Sequence, residues 1–329
     1  MIKAEEILNI FPGSLRERFS EVANRALDLQ EIRLLVRRPV RVTLKGKEFF
    51  LTTDGKLSKS PDKAFAISEK EIDEVLSYVC KYSLYAFEDE ISQGFITIPG
   101  GHRIGLAGQV VLNTESKVRN IKNIRFLNIR ISHEIIGAAD KVLPYVYEGK
   151  IFNTLIIAPP GCGKTTMLRD LVRQISNGKG SMPGFQVGIV DERSEIAGSY
   201  LGIPQNDVGI RTFVMDACTK VQGMMMLIRS MAPEVVAVDE IGSKDDLEAI
   251  SQVINSGSKI IATIHGYGME DVNRTDFAMF ERFIILHRKD GLCRVKEIYG
   301  EDKNVKDKSF TGKFAPIGTK FAHIERNGI

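Results

Sequence analysis

The sequence predicts an α/β fold: a doubly wound parallel sheet in the second half of the chain, preceded by a smaller α+β domain. Three observations carry this. After residue 150, short apolar runs alternate with helical periodicity: strands at 154–157, 186–190, 235–238 and 259–263, and helices at 165–176, 219–230 and 244–255. Buried apolar strands alternating with helices build a parallel sheet whose ligands sit at the strand C-terminal ends. Residues 155–166 run an apolar strand into a glycine-bearing loop and then a helix. Before residue 132 the strand patterns are instead grouped at hairpin spacing between helical stretches, which is α+β organisation.

Bulk properties agree. The 329 residues leave room for two domains of roughly 150 each. Hydrophobic content of 43% and charged content of 26% are ordinary for a globular chain able to bury a core. A net charge of +3 gives no overall nucleic-acid footprint. One basic stretch, 101–130, holds Arg103, Lys117, Arg119, Lys122, Arg125 and Arg130 against the single acid Glu115. Cys80, Cys162, Cys218 and Cys293 are far apart without metal-ligand spacing, and the N-terminus lacks a basic-then-apolar signal pattern. Free thiols in a reducing cytoplasm are the expectation. No apolar run approaches the roughly 18 residues of a spanning helix, so any membrane role is expected to be peripheral.

In order, residues 1–135 are expected to form the α+β domain. Helices are expected at 3–9 and 13–28, with Leu15, Phe19, Val22, Ala26 and Leu27 on the apolar face and a break at Phe11-Pro12-Gly13. Strands follow at 31–36 and 40–52, the latter turning at Lys45-Gly46-Lys47, then a polar loop at 53–61. A long helix over 68–92 opens with Ser68 and Glu71, the spacing of a capping box. Strands at 95–98, 103–112 and 124–131 close the domain. Residues 136–150 are expected to be a helical bridge and 151–300 the sheet domain, ending in a hairpin of 282–288 and 292–298 joined through Lys289-Asp290-Gly291. Residues 301–329 are a tail with little periodicity. The run Met224-Met225-Met226 is expected to fill core space at helical spacing.

The chemistry begins with Pro160, Gly161, Cys162, Gly163, Lys164, Thr165 and Thr166. In such a loop backbone N–H groups cradle phosphate oxygens, the lysine reaches the β- and γ-phosphates and the next hydroxyl ligates magnesium. The following helix adds its N-terminal partial charge. The pattern G-x-x-x-x-G-K-[ST] has glycine where this chain has Ala158, a position at the strand exit that mainly needs a small residue. The strand at 235–238 ends in Asp239 and Glu240. A triphosphate hydrolase needs one acid near magnesium and one that orients the attacking water. Asp239 with Thr165 fits the first role, Glu240 the second. At the end of the next strand, Thr263 or His265 is placed to sense the γ-phosphate. Glu192, in Val190-Asp191-Glu192-Arg193, is a candidate supporting acid. Together these features predict a P-loop NTPase domain that hydrolyses a nucleoside triphosphate with Mg2+.

The same residues carry a resemblance. The segments 227–234, 238–242, Ser256-Gly257 and 262–266 resemble the motor domains of type II/IV secretion ATPases, including their histidine box. Those enzymes often have glycine before the catalytic glutamate, whereas this chain has Asp239, which moves it towards ordinary P-loop ATPases. Tyr82-Ser83-Leu84-Tyr85-Ala86, 94–98 with 101–108, 127–130, 190–198 and 223–226 look like the stage III sporulation protein AA family, over about 31–266 and so across both domains. The resemblance implies a RecA/AAA-like form of the domain, with ATP as the nucleotide, giving ADP and phosphate, and a cytoplasmic ATPase on the mother-cell side of the forespore. It also implies a hexameric ring energising a secretion-like channel complex with membrane-protein partners. It further implies that Arg103 and Arg130 contact phosphate, in cis or in trans, whereas Arg119 and Arg125 fit a solvated basic face better. The competing reading is a nucleic-acid-binding ATP switch that uses the 101–130 stretch. Against it stand the near-neutral motor half and the lack of an appended basic domain, so nucleic acid is not the expected partner.

Overall fold

A computed structural model of the chain describes residues 4–272, 276–289, 292–301 and 314–316. The chain divides into two compact units, Met1–Glu134 with Gly198–Asn206, and Ile135–Ala197 with Asp207–Ile329.

The first unit opens with α1 (Ala4–Leu8), α2 (Gly13–Arg16) and α3 (Ser20–Ala23), then β1 (Leu29–Leu35), β2 (Arg41–Leu44), β3 (Lys47–Leu51) and β4 (Leu57–Ser58). After α4 (Glu69–Val79) and α5 (Glu88–Ser92) come β5 (Phe95–Ile98), β6 (His102–Leu112) and β7 (Val118–Arg130). The strands form one antiparallel sheet in the order β4-β3-β2-β1-β7-β6-β5. Helix α4 buries Ile72, Val75, Leu76 and Val79, one apolar stripe at i, i+3, i+4 and i+7. Its start carries the expected capping box, with Ser68 and Glu71 each closing on the other's backbone N–H.

Several expected elements differ. The helix expected over 13–28 is two single turns, α2 and α3, and Leu27 is exposed. The helix expected over 68–92 stops at Val79, because Lys81 and Tyr82 take left-handed backbone at φ 50° and 61°, which ends helical hydrogen bonding. A 3-10 turn, Leu84–Phe87, and α5 then carry Phe87 and Ile91 back into the core. Strand β7 begins at Val118, not 124: its first residues are mostly exposed and show no clean apolar alternation.

The second unit contains α6 (Leu143–Val146), β8 (Thr154–Ala158), α7 (Lys164–Asn177), β9 (Val187–Asp191) and β10 (Thr212–Asp216). It continues with α8 (Lys220–Ser230), β11 (Val235–Val238), α9 (Lys244–Asn255), β12 (Lys259–His265), β13 (Arg282–Lys289), β14 (Leu292–Glu301) and β15 (Phe314–Pro316). The sheet order is β10-β9-β11-β12-β8-β13-β14-β15, parallel from β10 to β13 and antiparallel beyond. Strands β8, β9 and β11 are buried along their whole length, as expected for a sheet covered on both faces. Ile156 and Ala158 pack with α7 residues on one face, and Leu155 and Ile157 with α8 and α9 residues on the other. Met224 is core, Met225 half-buried and Met226 exposed, so one of the three methionines fills the core as expected.

Of the helical bridge expected over 136–150, the structure has one four-residue helix, α6. Strand β10 escapes the sequence pattern because it is an edge strand of half-buried residues. Within the expected tail, β15 pairs with β14; the turn residues 290–291 and most of 302–329 lie outside the described residues. No helix among the described residues is long and apolar enough to cross a membrane.

Candidate functional site

Strand β8 ends at Ala158 and the chain turns through Pro159 to Gly163 into α7. Gly161 and Gly163 stand at φ 67° and 72°, where a side chain would strain the backbone. Ala158 lies inside the strand, fully buried, and is not among the left-handed residues. The departure from the glycine pattern at this position therefore introduces no backbone strain.

Lys164 is 7% exposed. Its ammonium donates to the Ala158 carbonyl at 3.3 Å and to His265 Nδ1 at 2.8 Å. An ammonium only donates, so Nδ1 holds the lone pair and the ring proton sits on Nε2, which donates to Glu240 Oε1 at 2.9 Å. Burial pushes the Lys164 ammonium below its ordinary pKa, and the charges of Asp239 and Glu240 oppose that shift. Thr165 Oγ1 donates to Asp239 Oδ2 at 2.6 Å, and the buried Thr263 hydroxyl donates to the other Asp239 oxygen. Thr263 Oγ1 also accepts from the Glu240 N–H at 2.8 Å. The strand ends at β8, β11 and β12 thus bring Lys164, Thr165, Asp239, Glu240, Thr263 and His265 into one hydrogen-bonded cluster.

Beside it, Asp191 closes β9 and is 2% exposed. Its carboxylate accepts from the backbone N–H groups of Glu195, Ile196 and Ala197 at 2.8–3.2 Å, fixing the loop that follows. Glu192 pairs with Lys220 of α8, and Arg193 donates to Glu240 Oε2 at 3.4 Å. Arg169 of α7 holds the same loop through the Glu195 and Ile196 carbonyls. Glu192, Arg193, Glu195, Lys220, Asp239 and Glu240 line one concavity.

Among the described residues no group of three His, Cys, Asp or Glu side chains is arranged to hold a metal. The Thr165 hydroxyl and an Asp239 carboxylate oxygen lie together at the start of α7. Such a pair suits magnesium, which is bound through one or two protein groups and takes its remaining ligands from phosphate and water. The donor set fits the metal.

Arg103 and Arg130 belong to the other unit. They are register partners on β6 and β7; the Arg103 guanidinium lies 3.4 Å over the Phe95 ring, and Arg130 is exposed. Elsewhere in the basic stretch Arg125 pairs with Asp73 and Glu69, and Lys117 with Glu115. Those cations are partnered by carboxylates of their own unit. Sequence reasoning did not single out Lys220, Arg169 or Arg288. Lys220 opens a helix next to an acid-ended strand, a signal that could have found it; Arg288 had none.

Comparison with known proteins follows the same lines. A family model described as "Sporulation stage III, protein AA" matches residues 1–306. Stage III sporulation protein AA of Bacillus subtilis (strain 168) is 39% identical over 308 residues, covering 91% of this chain and 96% of the relative. The uncharacterized protein ycf45 of Porphyra purpurea is 25% identical over 271 residues, covering 82% of this chain and 41% of that protein. Among solved structures, the Legionella pneumophila ATPase DotB aligns at a TM-score of 0.55 and 13% identity, over 86% of this chain and 80% of that one. The pilus retraction motor PilT with bound ADP aligns at 0.56 and 17%, over 84% and 81%. At these identities the structural likeness establishes the fold, a RecA-like P-loop domain with an N-terminal domain. The family match extends across both units, and on that ground the chain belongs to the stage III sporulation protein AA family.

Proposed function

We propose that the chain is an ATP-hydrolysing motor of the secretion-ATPase type, energising a channel complex between mother cell and forespore during sporulation. It works from the cytoplasm of the mother cell as a hexameric ring, with membrane proteins as partners. The observation that carries this reading is the run Lys164–His265–Glu240, with Thr165–Asp239 hydrogen-bonded beside it.

When phosphate enters the loop, the Lys164 ammonium moves from His265 Nδ1 and the Ala158 carbonyl to phosphate oxygens. Its low exposure strengthens that interaction by excluding water. Released from the lysine, His265 Nδ1 is free to accept a hydrogen bond from the attacking water beside the γ-phosphate while Nε2–H stays on Glu240. Glu240, steadied by His265, Arg193 and the Thr263 hydroxyl on its backbone N–H, orients the attacking water. Thr165 and Asp239 would hold magnesium, which when bound would neutralise charge on the phosphate oxygens. Glu192, held by Lys220, supports this edge electrostatically. Arg103 and Arg130 take the charge-compensating role implied by the resemblance, worth about 10³- to 10⁵-fold in rate where an arginine finger operates.

Phosphate release and particle mass, followed together as protein concentration rises, test the ring. Both are expected to climb in one transition, with specific activity higher in the assembled form. Activity that is constant per chain while the mass increases would remove the shared site from the proposal.

A further inference from the structure

The phosphate loop is also gripped from the side that the acids and His265 do not occupy. Strand β8 lies between β12, which ends in His265, and β13, which carries Arg288. Arg288 is the register partner of Cys293 across the β13–β14 pair, so their side chains leave the sheet on one face. Both approach one atom. Arg288 Nη2 donates to the Gly161 carbonyl at 3.1 Å, and the Cys293 thiol approaches the same oxygen at 3.7 Å. Cys293 also backs the second loop glycine: a Cβ at Gly163 would lie 3.6 Å from the Cys293 Cβ and 3.8 Å from its sulfur. The Gly161–Cys162 peptide is therefore tied at both ends, because its N–H donates to the Pro159 carbonyl at 3.2 Å.

We propose that Arg288 is a positioning residue for nucleoside polyphosphate binding: by holding the Gly161 carbonyl it pre-organises the phosphate loop, with Cys293 as its backing. This rests on the phosphate-loop reading of the same site. The guanidinium removes conformational freedom from a loop whose two left-handed glycines would otherwise leave it mobile, and pre-organisation raises affinity by lowering the ordering cost of binding. An effect routed through the carbonyl depends on a hydrogen-bond donor at position 288. An effect exerted on phosphate depends on a positive charge.

Titration of the full chain with ATP and with ADP separates the two, using wild type, Arg288→Ala, Arg288→Gln and Arg288→Lys, each with a melting curve and steady-state turnover. Arg288→Ala is expected to weaken both nucleotides about tenfold, the scale of one charge-assisted hydrogen bond, with kcat at saturating ATP within about twofold. Arg288→Gln, a neutral donor, is expected to recover most of that affinity, and the ligand-free melting temperature is expected to be unchanged. Wild-type affinity in Arg288→Ala would overturn the inference. So would Arg288→Gln binding as weakly as alanine while Arg288→Lys is restored. A wild-type chain that binds no nucleotide overturns the phosphate-loop reading as well, so the two failures are distinguishable.

Discussion

Glu240 stands at φ 52°, a left-handed conformation that non-glycine residues adopt at a cost, and the Thr263 hydroxyl on its N–H holds it there. The strain turns the carboxylate at the β11 exit towards His265. Two carboxylates closing an apolar strand were readable from sequence, as were the lysine and the histidine, because Asp239, Glu240 and His265 lie at strand exits of the parallel sheet and Lys164 opens the helix that follows β8. Thr263's two hydrogen bonds, one donated to the Asp239 carboxylate and one accepted from the Glu240 N–H, were not, because a threonine in a buried strand has the same pattern as any β-branched core residue. Asp191 makes a pH-dependent contribution of its own. Burial pushes its carboxyl up from 3.8 to about 6 despite three backbone N–H donors, with Asp216 nearby adding to the rise. Protonation therefore favours the folded chain, fully so below the unfolded value and progressively less as pH rises through about 6. Urea midpoints of wild type and Asp191→Asn, compared at pH 7 and pH 5, are expected to diverge in favour of wild type at the lower pH. A difference that does not change with pH contradicts this assignment.

At the scale of elements, what was legible followed from local chemistry. Ser68 and Glu71 declared the start of α4, and replacing Ser68 with alanine is expected to lower stability by about 1 kcal/mol in urea unfolding. Nucleotide affinity is expected to be unchanged, since α4 belongs to the unit without the phosphate loop. No change in the unfolding midpoint would show that the cap contributes nothing. The end of α4 was hidden for a complementary reason: Lys81 and Tyr82 turn left-handed where sequence reading looks for glycine or asparagine. Strand β10 was hidden because half-buried edge residues lack the continuous apolar run that revealed β8, β9 and β11. The β13–β14 pair was visible as a hairpin, but its grip on Gly161 comes from strand order, which places β13 beside β8 although more than a hundred residues separate them.

At the scale of the whole molecule, the chain forms two units but not two consecutive stretches. Gly198–Asn206 leaves the second unit and folds with the first, where Tyr200 joins the core and the Gln205 side chain accepts from the Gly100 N–H. A linear reading places one boundary near 135 and cannot see this excursion, since composition does not shift at 198 or 206. The segment follows the loop fixed by Asp191, so the residues beside Glu192 are covalently continuous with a piece of the first unit. Whatever the assembly, residues 158–166 are proposed to bind the phosphates of ATP, with Glu240 acting on water afterwards. Calorimetric titration with ATP and magnesium of wild type, Lys164→Ala and Glu240→Gln tests this proposal most directly. Wild type and Glu240→Gln are expected to bind with similar affinity, only wild type releasing phosphate, and Lys164→Ala is expected to show no binding. Tight ATP binding by Lys164→Ala, or turnover by Glu240→Gln at the wild-type rate, would contradict it.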